Sequence, residues 1–370
     1  MDELLVYRDL LGARSEGFVA MQYSGFTQLK PFFVGTRGEV PGDGMLIANG
    51  PVGRFRARQL GVPGKDLTHW IETHKPRAIH AQFGLGGALA LPFAQKFDLP
   101  LFVTFHGGDA TKETHYRKRW PVPTIYQRRM DAMVERARLI FCVSDYLRDR
   151  LLARGFPGAK LLTHYLGIEL PKKPALPAYP LRSPNILLVA RLVEKKGVDV
   201  AIDAMAKLRS EAPDLILGIV GDGPLRKVLE QRARDSGANV HFFGWHTPDD
   251  VHARMREAAM LLIPSRTAST GDAEGLGLVT LEAQTVGCPV IGSRHGGIPE
   301  AVLHEQTGLL FPEGDADALA AAILRMRREN GLAERLRVAA FDRLLEDFDA
   351  KKQSAWLEQI LVSLSEGDQR

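Results

Sequence analysis

Residues 271–300 read GDAEGLGLVTLEAQTVGCPVIGSRHGGIPE, and the parsing of this stretch decides the fold. Glu274 and Glu282 are separated by seven residues. Between them, Gly275-Leu276-Gly277 has the composition of a loop and Leu278-Val279-Thr280-Leu281 that of a helix start. Cys288 to Gly292 (CPVIG) then has that of a short buried strand. A helix beginning near Gly277 turns its unsatisfied N–H groups and positive dipole end back toward Glu274. Such an end attracts a phosphate or diphosphate. Glu282 falls more than one turn inside the helix. Each carboxylate can then serve one end of an extended ligand with an anion in its middle: ribose hydroxyls, diphosphate, sugar hydroxyls. Ionised carboxylates only accept hydrogen bonds, which suits them to hydroxyls. Taken alone, two glutamates at this spacing describe an ordinary amphipathic helix with a solvated carboxylate at each end. The rest of the chain has to decide.

The chain has 370 residues, enough for about two domains. Its composition is that of a globular protein with apolar residues for two cores. Cys142 and Cys288 both sit in apolar runs and read as small core residues of a reducing compartment. The charged N-terminus is unlike a signal peptide, and no apolar run reaches membrane-spanning length. A cytoplasmic protein is expected. The net charge of +4 hides an asymmetry: residues 1–180 hold 25 Lys+Arg against 16 Asp+Glu, and residues 181–370 hold 23 against 28. A basic half suggests an anionic partner surface. No zinc finger, aromatic stacking motif or DNA-reading motif supports nucleic acid.

Short β-rich runs alternate with helical ones through both halves. In the first half the strands are residues 2–7, 29–34, 76–83, 100–105 and 139–144. Residues 12–25 form a loop and helix with Ser15 as N-cap, and 44–60 are Gly- and Arg-rich with no clear period. Gly84-Leu85-Gly86-Gly87 follows a strand, but Leu89 stands where a dinucleotide fingerprint needs its third glycine, so the glycines read as a tight turn. His106-Gly107-Gly108-Asp109 ends the 100–105 strand, where open α/β sheets bind ligands. Residues 112–138 interleave Lys112, Arg117, Lys118, Arg119, Arg128, Arg129, Arg136 and Arg138 with Tyr116, Trp120 and Tyr126. That mixture suits an anionic membrane or lipid diphosphate, and equally a solvated helix face. Five prolines in 171–184 mark a linker. Strands at 185–190, 215–220, 240–244, 260–264, 290–292 and 308–311 follow, then helices over 315–330 and 332–367. The alternation predicts two doubly wound parallel sheets. Arg191, Asp222, Gly244 and the 271–282 loop all fall at carboxyl ends of strands. Arg191 offers a fork to phosphate oxygens and Lys196 a point charge, which together would stabilise a leaving diphosphate; taken alone they read equally as two surface cations.

Arg191…Lys196-Gly197, Val220-Gly221-Asp222-Gly223-Pro224, Glu274…Glu282 and Gly296-Gly297-Ile298-Pro299-Glu300 occur in this order. Together they resemble the retaining, GT-B-fold glycosyltransferases of family 4. Ser15-Glu16-Gly17-Phe18, Ile79-His80-Ala81-Gln82-Phe83-Gly84 and Val103 to Thr111 (VTFHGGDAT) resemble its branch that builds exopolysaccharide and colanic-acid-type units. The resemblance implies two Rossmann-like domains facing across a deep cleft. They would comprise an acceptor-side domain over 1–170, a linker over 171–184, a nucleotide-sugar-binding domain over 185–340, and a C-terminal helix over 341–370 crossing back. It further implies that Arg191 and Lys196 bind the donor diphosphate. Glu274 stabilises the transferred sugar, Glu282 holds the ribose, and the amides of Gly277, Leu278 and Val279 meet phosphate or ribose. Gly244, Trp245 and His246 lie near the base, and His106 reaches the donor sugar near the reacting centre. Ser15, Gln82 and Asp109 are carried over as acceptor-side or phosphate-loop residues.

The chain departs from the branch at Gln82, where a second histidine is usual, and at Gly277, where proline is usual. The implied reaction moves a hexose, with retention, from a UDP- or GDP-linked sugar to a glycan hydroxyl. The acceptor would be a lipid-linked oligosaccharide met through residues 112–138. No metal or other cofactor is expected: Asp315-Ala316-Asp317 matches a metal-binding D-x-D string but reads as a helix cap. A soluble acceptor, a non-catalytic subunit of the same fold, a phosphorylase and an epimerase remain as alternatives.

Overall fold

The computed structural model describes residues 1–12, 17–40, 42–116, 124–170, 176, 179 and 183–365. Ser15, most of the proline-rich linker, Arg117 to Trp120 and the Tyr116 side chain fall outside it.

The chain divides into two units. One comprises Met1–Glu169 with Ala350–Arg370, and the other Leu170–Asp349. In the first unit seven parallel strands form one sheet: β1 Asp2–Tyr7, β2 Leu29–Gly35, β3 Gly44–Leu46, β4 Ala78–Gln82, β5 Leu101–Phe105, β6 Ala137–Cys142 and β7 Leu161–Thr163. Their order is β3-β2-β1-β4-β5-β6-β7. The run Leu4-Leu5-Val6-Tyr7 is buried throughout, as a strand covered on both faces requires. The chain reverses direction across the sheet between β1 and β4, and Gln82 and His106 lie at the carboxyl ends of the adjacent β4 and β5. In the second unit six parallel strands repeat the plan: β8 Asn185–Val189, β9 Ile216–Val220, β10 Val240–Gly244, β11 Met260–Ile263, β12 Val290–Ser293 and β13 Leu309–Phe311. Their order, β10-β9-β8-β11-β12-β13, places the reversal between β8 and β11. Ligands of open α/β sheets bind at such points.

Three sequence expectations change. The helical run 332–367 is two helices, Leu332–Asp347 and Ala350–Ser365, broken at the buried Phe348. The first of these stays in the second unit, so the chain rejoins the first unit at Ala350 and not at 341. There Leu357 and Leu361 enter the core formed by Leu4, Val6, Leu29, Phe102 and Phe141. Tyr126, expected at a membrane interface, is buried, and its hydroxyl occupies the space that a side chain at Gly84 would need, beside Phe105. The uncharacterised stretch 44–60 holds β3, a helix over Gly50–Phe55 and a π turn over Arg56–Leu60.

The returning helix is fastened by Glu358. Its carboxylate accepts the N–H groups of Thr27, Gln28 and Leu29 at 2.8–2.9 Å, and these amide contacts hold it ionised against the cost of burial. Replacing Glu358 by alanine leaves three donors without their acceptor, at roughly 1–3 kcal/mol for each that stays buried. Chemical unfolding of Glu358→Ala should show a loss on the order of 3 kcal/mol. Glu358→Gln, which keeps an acceptor oxygen, should lose less than half of that.

Candidate functional site

In the second unit the loop after β8 and the loop after β11 are joined across the sheet's reversal. Gly197 has φ +58°, and a Cβ there would stand 1.8 Å from the Pro264 carbonyl oxygen, so only glycine lets the loops meet. The Arg266 N–H donates to the Lys195 carbonyl at 2.8 Å. Lys195 Nζ donates to Asp272 at 3.2 Å, and Glu194 accepts both the Ser269 N–H and its hydroxyl.

At the centre Lys196 Nζ donates to Glu274 Oε2 at 2.5 Å, with the two side chains only 19% and 12% exposed. Burial alone would raise the Glu274 carboxyl. The ammonium groups of Lys196 and Lys195, the hydrogen bond from Lys196 and the neighbouring His295 reverse that and bring it down to about 2. Glu274 is therefore a fixed negative charge at neutral pH. Its backbone is fixed as well. The Glu274 N–H donates to His295 Nε2 at 3.2 Å, and His295 Nδ1 donates to Glu313 at 2.9 Å, which sets the tautomer. Beneath the loop lie Gly296 and Gly297. A Cβ at either would come within 2.4 Å of the Glu274 carbonyl or 1.9 Å of the Gly275 carbonyl, which explains the paired glycines of the GGIP run.

Gly277 caps the following helix in the left-handed region, at φ +81°, with no side-chain cap. The helix runs Leu278–Thr285, and its first N–H groups, those of Leu278 and Val279, have no partner within it. Glu282 is half-buried one turn in. Burial pushes its carboxyl up against the pull of Lys196. Glu274 and Glu282 thus both lie within the field of Lys196. Arg191 is exposed beyond the end of β8, and the Leu192 N–H beside it donates to the Asp222 carbonyl at 2.9 Å. Gly244 ends β10 with φ +76° and accepts the Gly221 N–H at 2.7 Å. Trp245 is 62% exposed. His246 accepts from Arg254 at 3.3 Å, and that guanidinium lies 3.7 Å over the Phe243 ring.

Asp315 of the D-x-D string accepts the Ala318 N–H at 2.9 Å and caps the helix it begins, while Asp317 pairs at 2.7 Å with Lys207 of the Val198–Leu208 helix. Among the described residues no group of three or more His, Cys, Asp or Glu side chains is placed to hold a metal.

In the first unit His106 ends a buried chain of hydrogen bonds. The Gln82 amide nitrogen donates to Gln22 Oε1 at 3.0 Å and to the Tyr23 hydroxyl at 2.5 Å. Its carbonyl oxygen must then accept, so His106 Nε2 donates to it at 2.7 Å. Tyr23 passes its proton toward His80 Nδ1 at 2.9 Å, and His80 Nε2 donates to Thr104 at 2.7 Å. His106 Nδ1 keeps a buried lone pair with no partner. Burial first, then the charge of Arg8 and the neighbouring His80 and His164, hold His106 well below its usual titration range. It is neutral at pH 7. Asp109 accepts the N–H groups of Gly84, His106 and Gly107 at 2.8–3.1 Å, so it shapes the loop from beneath. Sequence reasoning missed Tyr23, His80, Thr104, His295 and Glu313. His80 stood in the quoted 79–84 run and Glu313 beside the D-x-D string, but their partners are distant in sequence.

Residues 174–343 match the glycosyl transferases group 1 family and residues 37–172 match glycosyltransferase family 4. The amylovoran biosynthesis glycosyltransferase AmsK of Erwinia amylovora is 33% identical over 291 residues, 76% of this chain and 69% of that protein. The putative colanic acid biosynthesis glycosyltransferase WcaL of Salmonella typhimurium is 30% identical, covering 77% and 70%. A GDP-mannose-dependent alpha-(1-6)-phosphatidylinositol monomannoside mannosyltransferase of Mycolicibacterium smegmatis is 31% identical, covering 63% and 64%. The same fold is found in sucrose-phosphate synthase from Thermosynechococcus elongatus, with TM-score 0.78 at 20% identity over 98% of this chain and 99% of that one. Anabaena HepE, solved with UDP and glucose, has TM-score 0.77 at 19% identity over 98% and 100%.

The depressed Glu274 titration gives a pH test. A carboxyl lowered on folding stabilises the protein above its unfolded value, near 4.5, and loses that contribution as pH falls toward 2. The stability difference between the parent and Glu274→Gln should be on the order of 2–3 kcal/mol near pH 6 and shrink toward zero near pH 2. Denaturant unfolding across that range measures it.

Proposed function

The chain belongs to the family 4, group 1 glycosyltransferases of GT-B fold, and on that premise we propose that it transfers a hexose, with retention and without a metal, from a nucleoside diphosphate sugar to a lipid-linked glycan. The observation that carries this reading is the buried Lys196–Glu274 pair with Glu282 in the same field, at the reversal point of the second sheet.

Lys196 and Arg191 take the diphosphate, together with the N–H groups of Leu278 and Val279 behind Gly277. Glu282 is suited to the ribose: its carboxylate has no side-chain hydrogen bond to spend elsewhere among the described residues. Gly244, Trp245 and His246 meet the base. Glu274 faces the transferred sugar. A carboxylate titrating at about 2 is a poor proton acceptor at neutral pH. Its contribution is the fixed negative charge that stabilises an oxocarbenium-like centre. The bond from the anomeric carbon to the diphosphate oxygen breaks, the acceptor oxygen bonds to the same face, and its proton passes to the departing phosphate. His106, neutral and oriented by Gln82, is the first unit's candidate to meet a hydroxyl of the donor sugar. Lys195, Lys196 and Arg191 supply the cationic charge for the leaving diphosphate, while the D-x-D aspartates are committed to Ala318 and Lys207.

The lipid-linked acceptor is supported by the relative acting on phosphatidylinositol monomannoside and by the basic surface of the first unit. Within residues 112–138, Arg128 remains exposed, whereas Arg129 donates to the Gln59 carbonyl and Arg136 to Asp98, both at 2.9 Å. No described helix is long and apolar enough to cross a membrane; a peripheral, cytoplasmic placement is part of this proposal.

Calorimetry with UDP, GDP, ADP and dTDP should show binding of at least one, and Arg191→Ala and Lys196→Ala should each weaken it by roughly ten- to a hundredfold, the loss of a charge-assisted contact. Preference for GDP points to mannose or fucose donors, and preference for UDP to glucose, galactose or N-acetylhexosamines. No binding by folded protein would overturn the donor-site assignment. Proton NMR of the first product should show the donor's anomeric configuration kept, with the rate unchanged by EDTA.

A further inference from the structure

The stretch Gly50 to Val62 (GPVGRFRARQLGV) is built inside out. A surface helix normally buries its large apolar side chains and exposes its polar ones. Here Val52, Phe55, Leu60 and Val62 are 73%, 60%, 63% and 43% exposed, while the side chain turned inward is Ala57 at 1%. Four of the large exposed apolar residues among the described residues fall in this one short segment, and no other stretch of that length holds more than two. Single exposed apolar residues need no explanation, but a cluster does.

The exposure is not that of a loose loop. The Arg58 guanidinium donates to both carboxylate oxygens of the buried Asp9, at 2.9 and 3.0 Å. Arg129 reaches from the 125–136 helix to the Gln59 carbonyl at 2.9 Å and the Ala88 carbonyl at 3.3 Å. The segment is thus tied down through its inner face and through the π turn Arg56–Leu60, which holds the apolar side chains outward. The charged residues within the segment are of one sign. Arg54 and Arg56 are exposed among the apolar residues, and exposed Arg128 touches Gln59. Residues 44–65 contain no Asp or Glu.

From this we propose that Val52, Phe55, Leu60 and Val62 insert into the interfacial region of an anionic lipid bilayer while Arg54, Arg56 and Arg128 meet its headgroups. Charge complementarity selects this occupant. Apolar side chains ringed by cations suit a negatively charged interface. An isologous contact between two copies would instead set arginines against arginines. The inference builds on the lipid-linked acceptor proposed above and locates the membrane contact in a segment that sequence periodicity left unassigned. It adds an inserting element to a surface otherwise only basic: a polybasic patch alone is reversible and salt-sensitive, and apolar insertion is the second signal that makes docking firm.

The test uses the full chain and co-sedimentation with vesicles of phosphatidylcholine containing roughly one-third phosphatidylglycerol. The parent should bind these vesicles, with much less binding to pure phosphatidylcholine. Phe55→Ser/Leu60→Ser should weaken binding about tenfold or more, the loss of two inserting side chains. Nucleoside diphosphate affinity, measured in the same preparations, should be unchanged, because both residues are solvent-exposed and lie in the other unit. Absence of vesicle binding by the parent overturns the proposal, as does equal binding by parent and variant. A parent that sediments as a dimer and a variant that sediments as a monomer would assign the face to a second copy and also overturn it. Intact nucleotide binding with no vesicle binding would leave the donor-site reading standing, and loss of nucleotide binding would strike that reading alone.

Discussion

The ion pair between Lys196 and Glu274 is the contact around which the loops of the second unit's candidate site are built. Desolvating two charges costs several kcal/mol per ion, and the loop is built so that the pair survives that cost. Lys195 adds a second ammonium nearby and holds Asp272. His295, itself oriented by Glu313, takes the Glu274 N–H. Gly296 and Gly297 make space for the carbonyls of Glu274 and Gly275. The result is a carboxylate ionised at any physiological pH, in a loop that ends where a helix presents unpaired N–H groups. A fixed negative charge and a fixed positive charge are thereby set side by side, as the proposed donor site requires. Preorganisation of this kind is where an electrostatic contribution to catalysis comes from.

The first unit uses the opposite strategy. Its key side chain is kept neutral. Burial drives His106 and His80 away from protonation, with His80 lowered to about 3. The directional chain through Gln82 and Tyr23 then fixes which nitrogen of each ring carries the proton. Gln82 replaces the histidine usual in the exopolysaccharide branch, yet its amide both donates and accepts, so the chain continues through it. The two units share a sheet plan and differ in electrostatic character, which matches the basic and acidic halves of the sequence.

The fold was largely legible because parallel strands buried on both faces leave continuous apolar runs, and the strands from 185 onward were located this way, apart from the edge strand Val240–Gly244, none of whose residues is fully buried. The positions of the residues proposed for the donor side were legible for a related reason: Arg191, Lys196 and Glu274 lie in loops that follow strands, and Gly277 marks a helix start. What escaped notice is non-local. The Tyr23–Gln82–His106 chain and the His295–Glu313 pair join residues that share no local period. The break at Phe348 carries no glycine or proline to announce it, and it exists because Phe348 is drawn fully into the core. Tyr126 was read as interfacial from composition, but it is buried, its hydroxyl in the space that a side chain at Gly84 would need. The 50–62 segment was opaque because its apolar residues face outward, against the pattern that sequence reading relies on.

The measurement that bears most directly on this account is donor turnover by Glu274→Gln, compared with its affinity for the nucleoside diphosphate. Turnover should fall by about a hundredfold or more, because the charge proposed to face the developing oxocarbenium is gone. Nucleoside diphosphate binding should stay within about threefold of the parent, because Arg191, Lys196 and the helix N-terminus remain to hold it. Turnover equal to that of the parent would contradict the assignment of the Lys196–Glu274 pair as the catalytic centre of this glycosyltransferase.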